Sequence, residues 1–366
     1  MPHPADAWRV EERALGDPQV AAVWDRLQEQ GAVRSPFLDR TWCSTLETAG
    51  GEGGLAVLLG LVDGEPKALL PLQRRRGAGV RTVGAPGMGW VQPDHLDVVA
   101  AEPEGGPAAA AMVRFLARAR DWDLLDLDGL SADGSLAAAV DHGRALGGVR
   151  APERPVVAPY VDLRGRTVAE LFPSRNLREQ VRRGLRRAER SGGGFEVVTD
   201  PERVEPLVHE LMRLHNARFG ARSAIFATAP RRAFHVAAVR RLAALGRARI
   251  YRLVADGVDA ALLYALVHGE TVYYYSMGIE PGAGMSPGRT VLGQAIASAA
   301  AEGLAEFDLL RGDHEFKLRF ASGVRTDRRV LVAGRTPRGL LGAATVAARA
   351  AAARRASRHG GPRSTP

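Results

Sequence analysis

The sequence predicts an α/β fold built from two copies of one module, and three observations predict it. Short apolar runs bounded by turn residues alternate with longer segments of helical period. The pattern Asp-Gly-x3-Ala-Leu-Leu occurs twice, at Asp63-Gly64 with Ala68-Leu69-Leu70 and at Asp256-Gly257 with Ala261-Leu262-Leu263. Each copy is followed by an Ala-rich helical segment and then by Asp-Leu-Leu, at Asp123-Leu124-Leu125 and Asp308-Leu309-Leu310. The shared order points to duplication of a hairpin, a helix and a following strand.

Taken in order, residues 18–31 read as a helix. Pro18 follows Asp17 at its start, Val20, Val23, Trp24 and Leu27 share a face, and Gly31 closes it. Ser35-Pro36-Phe37-Leu38 leads to a second helix around 39–49. Leu55–Val62 and Lys67–Arg74 form a hairpin across Asp63-Gly64. The Gly-rich stretch 77–93 reads as loop with a short strand near Val80–Val83, and Leu96–Ala100 as a strand. Residues 107–120 and 135–146 are helical, with the strand Leu124–Leu127 between them.

Pro152–Pro159 marks the expected boundary, so the domains are 1–155 and 156–334, followed by a basic Ala/Arg tail at 335–366. The second half reads as helices 167–172 and 175–191, the strand Phe195–Val198, and helices 201–218 and 230–245 around an uncommitted loop 219–229. Then come the strands Arg252–Ala255, Ala260–Val267 and Val272–Ile279, a Gly/Pro loop, a helix Thr290–Ala301, a short strand Phe307–Leu310 and a last strand Arg328–Val332. Residues 339–355 read as helix and the extreme end as disordered.

Composition narrows the class. The chain has 366 residues, enough for two ordinary domains. A single cysteine, Cys43, excludes a disulfide framework and any multi-cysteine metal site, and His209 and His215 are spaced by six rather than four, so no metal is expected. The acidic start and the lack of a long apolar run predict a cytoplasmic chain without a membrane span. The net charge of +9 is localised: seven Arg in 175–190 give that segment +5, seven in 335–366 give the tail +7, and the rest carries −3. That distribution argues against a dedicated nucleic-acid fold. Only two lysines occur, Lys67 and Lys317, and Lys317 lies in a polar corner, Arg311-Gly312-Asp313-His314-Glu315-Phe316-Lys317.

Two local features suggest chemistry. A helix starting after Ser286-Pro287-Gly288 presents free N–H groups and a positive dipole end, so Ser286, Gly288, Arg289 and Thr290 are a candidate phosphate cradle, or an ordinary helix start. The polar corner follows a strand end. Alternation through 313–317 would put Asp313, Glu315 and Lys317 on one side, as a catalytic set or as a solvated turn. Tyr273 and Tyr275 share one strand face, and Tyr274 takes the other.

The duplicated module resembles the double acyltransferase fold of the GNAT superfamily, in the branch of the Fem-type peptidyltransferases and the cellulose-biosynthesis (CelD-like) acetyltransferases. The residues that carry the resemblance are Ser35-Pro36-Phe37 with Trp42, the hairpin at 63–72, the Arg-rich helix 175–190, and Phe307 to Lys317. It spans roughly 30–330. The usual pyrophosphate loop of GNAT enzymes is absent, and Ser286-Pro287-Gly288-Arg289 takes its place.

The resemblance implies two tandem GNAT-like domains, each a mixed, largely antiparallel sheet flanked by helices. It implies N-acyl transfer from acyl-CoA, acetyl-CoA first, to an amine of a small molecule. The alternative is Fem-type transfer from aminoacyl-tRNA, and a non-catalytic binding relative comes third. The donor and the chemistry would lie in the second domain, with the first shaping the acceptor pocket. The attacking amine needs a base, for which Asp313, Glu315 and His314 are candidates. Lys317 would steady an oxyanion, carboxylate or phosphate, and Tyr275 would donate to the leaving group. Asp94, His95, Tyr273, Asp308 and Arg311 are candidate substrate contacts. The Arg-rich helix is read as a surface away from the donor's phosphates.

Overall fold

The computed structural model describes residues 7–346 and 348, apart from 50–52, 143–145, 152–153, 221–222 and 285. The first half contains β1 (Trp8–Ala14), α1 (Pro18–Glu29), a short 3-10 turn Pro36–Leu38, α2 (Arg40–Thr48), β2 (Gly54–Val62), β3 (Glu65–Gly77), β4 (Val80–Gly84), β5 (Val99–Ala100), α3 (Gly105–Ala119), β6 (Leu124–Ser131), α4 (Ser135–His142) and β7 (Val149–Arg150). The second contains β8 (Arg154–Asp162), α5 (Arg175–Arg190), β9 (Gly194–Val198), α6 (Pro201–Phe219), α7 (Ala229–Ala243), β10 (Ala248–Ala255), β11 (Val258–His268), β12 (Thr271–Ile279), α8 (Pro287–Ala301), β13 (Glu306–Asp308), the single turn α9 (Glu315–Leu318) and β14 (Gly323–Ala333).

Fourteen strands among the described residues join in one mixed sheet; twelve run in the order β1-β2-β3-β4-β6-β14-β8-β13-β12-β11-β10-β9, while β5 pairs with β3 and β7 with β14. The two Asp-Gly pairs turn the hairpins as their chemistry requires. Asp63 and Gly64 have φ of 51° and 82°, Asp256 and Gly257 of 53° and 75°, the left-handed geometry of a two-residue hairpin turn. Each half then repeats an antiparallel meander closed by one parallel pair, β4 with β6 and β12 with β13. The duplicated order read from the sequence is therefore present in space.

The modules exchange their last strands. β8 follows the first module but pairs with β13 of the second. β14 ends the second module and pairs with β6 of the first, and it also pairs with β8. The stretch expected as a linker, Pro152–Pro159, thus runs into a strand at the centre of the sheet, because both edges of that strand find partners. The expected helix 167–172 is a set of turns instead, with Glu170 Oε2 capping Thr167. Residues 337–346 are helical, and the rest of the expected tail helix falls largely outside the described residues.

Helix starts follow their caps. Asp17 accepts from Gln19 N, Asp39 from Thr41 N and Asp200 from Glu202 N. One apolar core runs beneath the first module and continues under α6 and α7, where Trp42 meets Phe234 and Tyr275 at ring distances of 5.0 and 5.5 Å. A second core lies between the other face of the second module's sheet and α5 and α8. Tyr273 and Tyr275 belong to the first core and Tyr274 to the second, despite a bulge opposite Tyr264/Ala265 that inserts Tyr275 as an extra residue.

Candidate active site

The polar corner lies where the modules meet. After Asp308 the strand ends, and Leu310, with φ of 55°, turns the chain toward the first module. Arg311 crosses the junction. Its Nε donates to Asp94 Oδ1 at 2.5 Å and its backbone N–H to Asp94 Oδ2 at 2.9 Å. Its guanidinium also donates to Asp128 at 3.2 Å and to the Pro93 carbonyl at 2.5 Å.

His95 makes a second crossing. Its backbone N–H and Nδ1 reach the two carboxylate oxygens of Asp327 at 2.8 and 3.0 Å. Nε2 sits 3.2 Å from Asp308 Oδ2, an ionic contact outside hydrogen-bond geometry. Burial opposes a charge on this ring, but Asp308 and Asp327 outweigh it and raise its pKa to about 10. The ring is therefore an imidazolium at neutral pH. Burial likewise pushes the Asp308 carboxyl up, yet His95 and Arg325 overcome it and hold it below its ordinary value. Arg325 reaches Asp308 at 3.0 Å, and Arg329 reaches Asp126 at 2.7 Å.

Of the expected substrate contacts, Asp94, His95, Asp308 and Arg311 are thus brought together, Arg311 on Asp94 and His95 beside Asp308. Tyr273 is beside them, its hydroxyl 3.4 Å from the Arg34 carbonyl. Their partners Arg325 and Asp327 escaped the sequence reading, since β14 was expected only from Arg328 and these residues then fell in a loop.

The expected one-sided set Asp313, Glu315 and Lys317 does not form. His314 stands at the N-cap position of α9 without a side-chain cap, and one helical turn replaces the extended alternation. Lys317 turns inward and is buried, while Asp313, His314 and Glu315 are exposed. Glu315 pairs with Arg319 one turn on. Lys317 Nζ donates to the Arg311 carbonyl at 2.6 Å and the Leu310 carbonyl at 3.3 Å, and lies 5.3 Å from the centre of the Tyr274 ring. Burial pulls its pKa down to about 8 against the opposing pull of Asp94 and Asp308. Tyr275 is packed among Trp42, His235 and Tyr264, and its hydroxyl has no hydrogen-bond partner.

At α8, Ser286 has φ of 55° and makes no side-chain cap. The rest of the expected cradle is partly filled by protein. A Cβ on Gly288 would meet Ile279 Cδ1 at 2.5 Å, Thr290 is buried, and Arg289 donates to Gln180 of α5 at 2.6 Å. Gly184 of α5 abuts Thr290 so closely that a Cβ would strike Thr290 Oγ1. The Arg-rich helix therefore lies against the start of α8, not away from it as the sequence suggested. The cause is its small-residue face, Gly184 and Ala188 among Leu177, Val181 and Leu185. Arg183, Arg186, Arg187, Arg190 and Ser191 line an open groove, and the Arg187 guanidinium lies near Gly284 in the loop before α8.

A further pair was not anticipated. His215, near the end of α6, has Nε2 2.9 Å from Ser223 Oγ and Nδ1 3.3 Å from the Met277 carbonyl. No local pattern announces it, because eight residues and a helix end separate the partners. Among the described residues no cluster of three or more His, Cys, Asp or Glu could hold a metal ion, and no helix is long and apolar enough to cross a membrane.

Comparison with known proteins agrees with this architecture. Residues 175–318 match the family described as acetyltransferase (GNAT) domain. The fold is similar to that of FemX, with a TM-score of 0.61 and 13% identity over 87% of this chain and 96% of that one. It is also similar to the C-terminal domain of a putative lysylphosphatidylglycerol synthetase from Agrobacterium fabrum, at 0.54 and 15% over 89% and 96%. A third similar structure is L-PGS from Bacillus licheniformis, at 0.54 and 14% over 89% and 94%. None of the curated proteins matches this sequence. Residues 175–318 thus carry a match to a GNAT acetyltransferase domain, and the two modules with exchanged strands have a double-domain GNAT-like fold.

Proposed function

We propose that the chain moves an acyl group, acetyl in the leading case, from acyl-CoA to an amine of a small molecule in the cytoplasm. The observation that carries this reading is the contact of α5 with the first turn of α8. A donor's phosphates would meet there the Gly288 N–H, the positive end of α8 and the guanidinium groups of Arg183, Arg186 and Arg187. On this reading residues 156–334 hold the donor and the chemistry, 1–155 shape the acceptor pocket, and 335–366 form a basic tail.

Lys317 is the polar group that we give a role at the reacting carbonyl, as a donor to the developing oxyanion. Two of its ammonium hydrogens are held by the Arg311 and Leu310 carbonyls, which leaves a third. Asp313, His314 and Glu315 are exposed and lie outside this arrangement, which weighs against them as the base. Asp94, His95, Asp308 and Arg311 would act by fixing Lys317 and the module junction. The Tyr275 hydroxyl is enclosed by Trp42, His235 and Tyr264 in the first core, which weighs against it as donor to the leaving group.

One observation favours the second reading, an aminoacyl-tRNA donor. α5 has 16 residues, so its arginine row runs roughly 24 Å, longer than one pyrophosphate requires. Thermal unfolding in the presence of acetyl-CoA or of aminoacyl-tRNA tests both. A ligand that binds the folded chain must raise its melting temperature. A rise with acetyl-CoA is the expected result. A rise with tRNA alone moves the assignment to the second reading, and no rise with either overturns both.

A further inference from the structure

His215 and Ser223 have the geometry of a hydroxyl held by an oriented base. The Met277 carbonyl can only accept, so the ring nitrogen facing it, Nδ1, carries the hydrogen. Nε2 then offers its lone pair to Ser223, whose hydroxyl donates to it across 2.9 Å. Nucleophile–base pairs oriented by a third group have this form. Ser276 Oγ, at 3.4 Å from Nδ1, adds a polar neighbour on the orienting side.

The surroundings suit proton acceptance. The imidazole is buried, with Phe219 and Phe226 at ring distances of 4.7 and 5.1 Å, while Ser223 is half-exposed. Burial, and then the Arg218 charge on the same helix, pull the ring's pKa below its ordinary value, against the Met277 carbonyl, which raises it. From β12 it faces Ser276 and the Met277 carbonyl, and from the loop after α6 it faces Ser223 and Phe226. The described hydrogen bonds and ion pairs bring no carboxylate to the ring.

Position links the pair to the reacting region. β13 pairs with β12 only from Thr271 to Tyr273, so Ser276 and Met277 lie where the two strands have parted. Tyr274, in the same stretch, carries Lys317 over its ring, and the Arg218 charge acts on its phenol. The pair and Lys317 therefore approach one short segment of β12 from its two faces, where β13 no longer covers it.

We propose that Ser223 and His215 take the proton from the acceptor amine as it attacks the acyl carbon. This rests on the acyl-transfer reading above and adds the proton acceptor to it. The amine nitrogen forms a bond to the acyl carbon, and the bond from that carbon to the donor's sulfur or ester oxygen breaks. The amine proton passes to Ser223 Oγ as the hydroxyl's own proton passes to His215 Nε2. The imidazolium then returns a proton to the departing thiolate or alkoxide, which restores the pair.

The test is steady-state turnover of the full chain with acetyl-CoA and a panel of glucosamine and amino acids, and with aminoacyl-tRNA as a second donor. Ser223→Ala and His215→Asn should each lower kcat by about 10²-fold with little change in KM, and the double variant should be no slower than either. Ser223→Thr, which keeps a hydroxyl, should recover part of the rate. The wild-type profile should lose activity on the acid side as the imidazole protonates, and His215→Asn should lack that limb. Full turnover in both single variants overturns the pair alone. So does a loss that only follows the melting temperature, without the pH change. A wild-type chain that transfers from neither donor overturns the acyl-transfer reading and the pair with it.

Discussion

Gly184 on α5 and Thr290 on α8 touch so closely that no Cβ fits between them. A second glycine, Gly293, repeats the contact one turn further along α8 with Val181 at 2.5 Å from the position of a Cβ. These contacts set the arginine row of α5 beside the first turn of α8. Glycine is needed here for the approach of two helix backbones and not for an unusual φ.

Replacing Gly184 with Val should therefore destabilise the chain by about 1–3 kcal/mol through overpacking. Donor affinity should fall with it, since α5 must move away from α8. Gly288→Asp should behave alike, because its side chain would enter the space of Ile279 and Met277 rather than face a phosphate. Urea midpoints measured beside donor binding decide this. A stable Gly184→Val protein would mean that the two helices separate without cost.

The arginines themselves should separate binding from stability. Arg182 and Arg186 are exposed and Arg178 is half-buried, so the triple change to Glu should leave the melting temperature near that of the wild type. Donor affinity should drop for either donor, because α5 adjoins the α8 start. The salt dependence distinguishes them: binding of a tRNA should weaken with log[salt] on a slope of about −0.7 to −0.9 per phosphate contacted, whereas CoA offers few phosphates. Unaltered affinity for both donors in the triple variant would remove α5 from the donor site.

How far the sequence carried can be read from particular residues. The Asp-Gly turns, the capped helix starts and the duplicated order were legible because each is a local signal. The strand exchange was not, since nothing local in Pro155 or Val156 announces that both edges of β8 will be paired. In the polar corner, Asp94, His95, Asp308, Arg311 and Lys317 were all named, but their mutual pairing was not, because β14 supplies Arg325 and Asp327 from beyond the expected strand start. Asp313 and Glu315 were misplaced by assuming period 2 where one helical turn forms. His215 and Ser223 meet only through the tertiary fold.

The corner also predicts an unusual pH dependence of stability. In the folded chain His95 keeps its proton to about 10, and in the unfolded chain to about 6.5. Between those values the folded state binds the extra proton, so stability falls as pH rises, by about 1.4 kcal/mol per unit at most. Lys317 acts in the opposite sense. Its folded pKa is about 8 against 10.5, so between them the unfolded state binds the extra proton and stability rises with pH. The wild-type urea midpoint should thus fall from about pH 6.5 to 8 and then level off. In Lys317→Met the fall should continue to about pH 10. A wild-type midpoint that is flat from about pH 6.5 to 8 would refute the imidazolium at His95.

Lys317 offers the sharpest separation of stability from chemistry. Its ammonium is held in a buried site where desolvation lowers its pKa, so the fold bears a cost for the charge. Lys317→Met keeps most of the side-chain volume and removes that cost, and its melting temperature near neutral pH should equal or exceed the wild-type value. Turnover should nevertheless fall by about 10²-fold, roughly 3 kcal/mol of lost oxyanion stabilisation. Lys317→Arg should rescue poorly. The ammonium fits between the Arg311 carbonyl at 2.6 Å and the Tyr274 ring, and a planar guanidinium is too broad for that gap. Asp313→Asn and Glu315→Gln, both at exposed positions, should leave turnover unchanged. A purely structural lysine would give the reverse pattern for Lys317→Met, with melting and turnover lowered together. Normal turnover in a stably folded Lys317→Met protein would exclude Lys317 from the reaction.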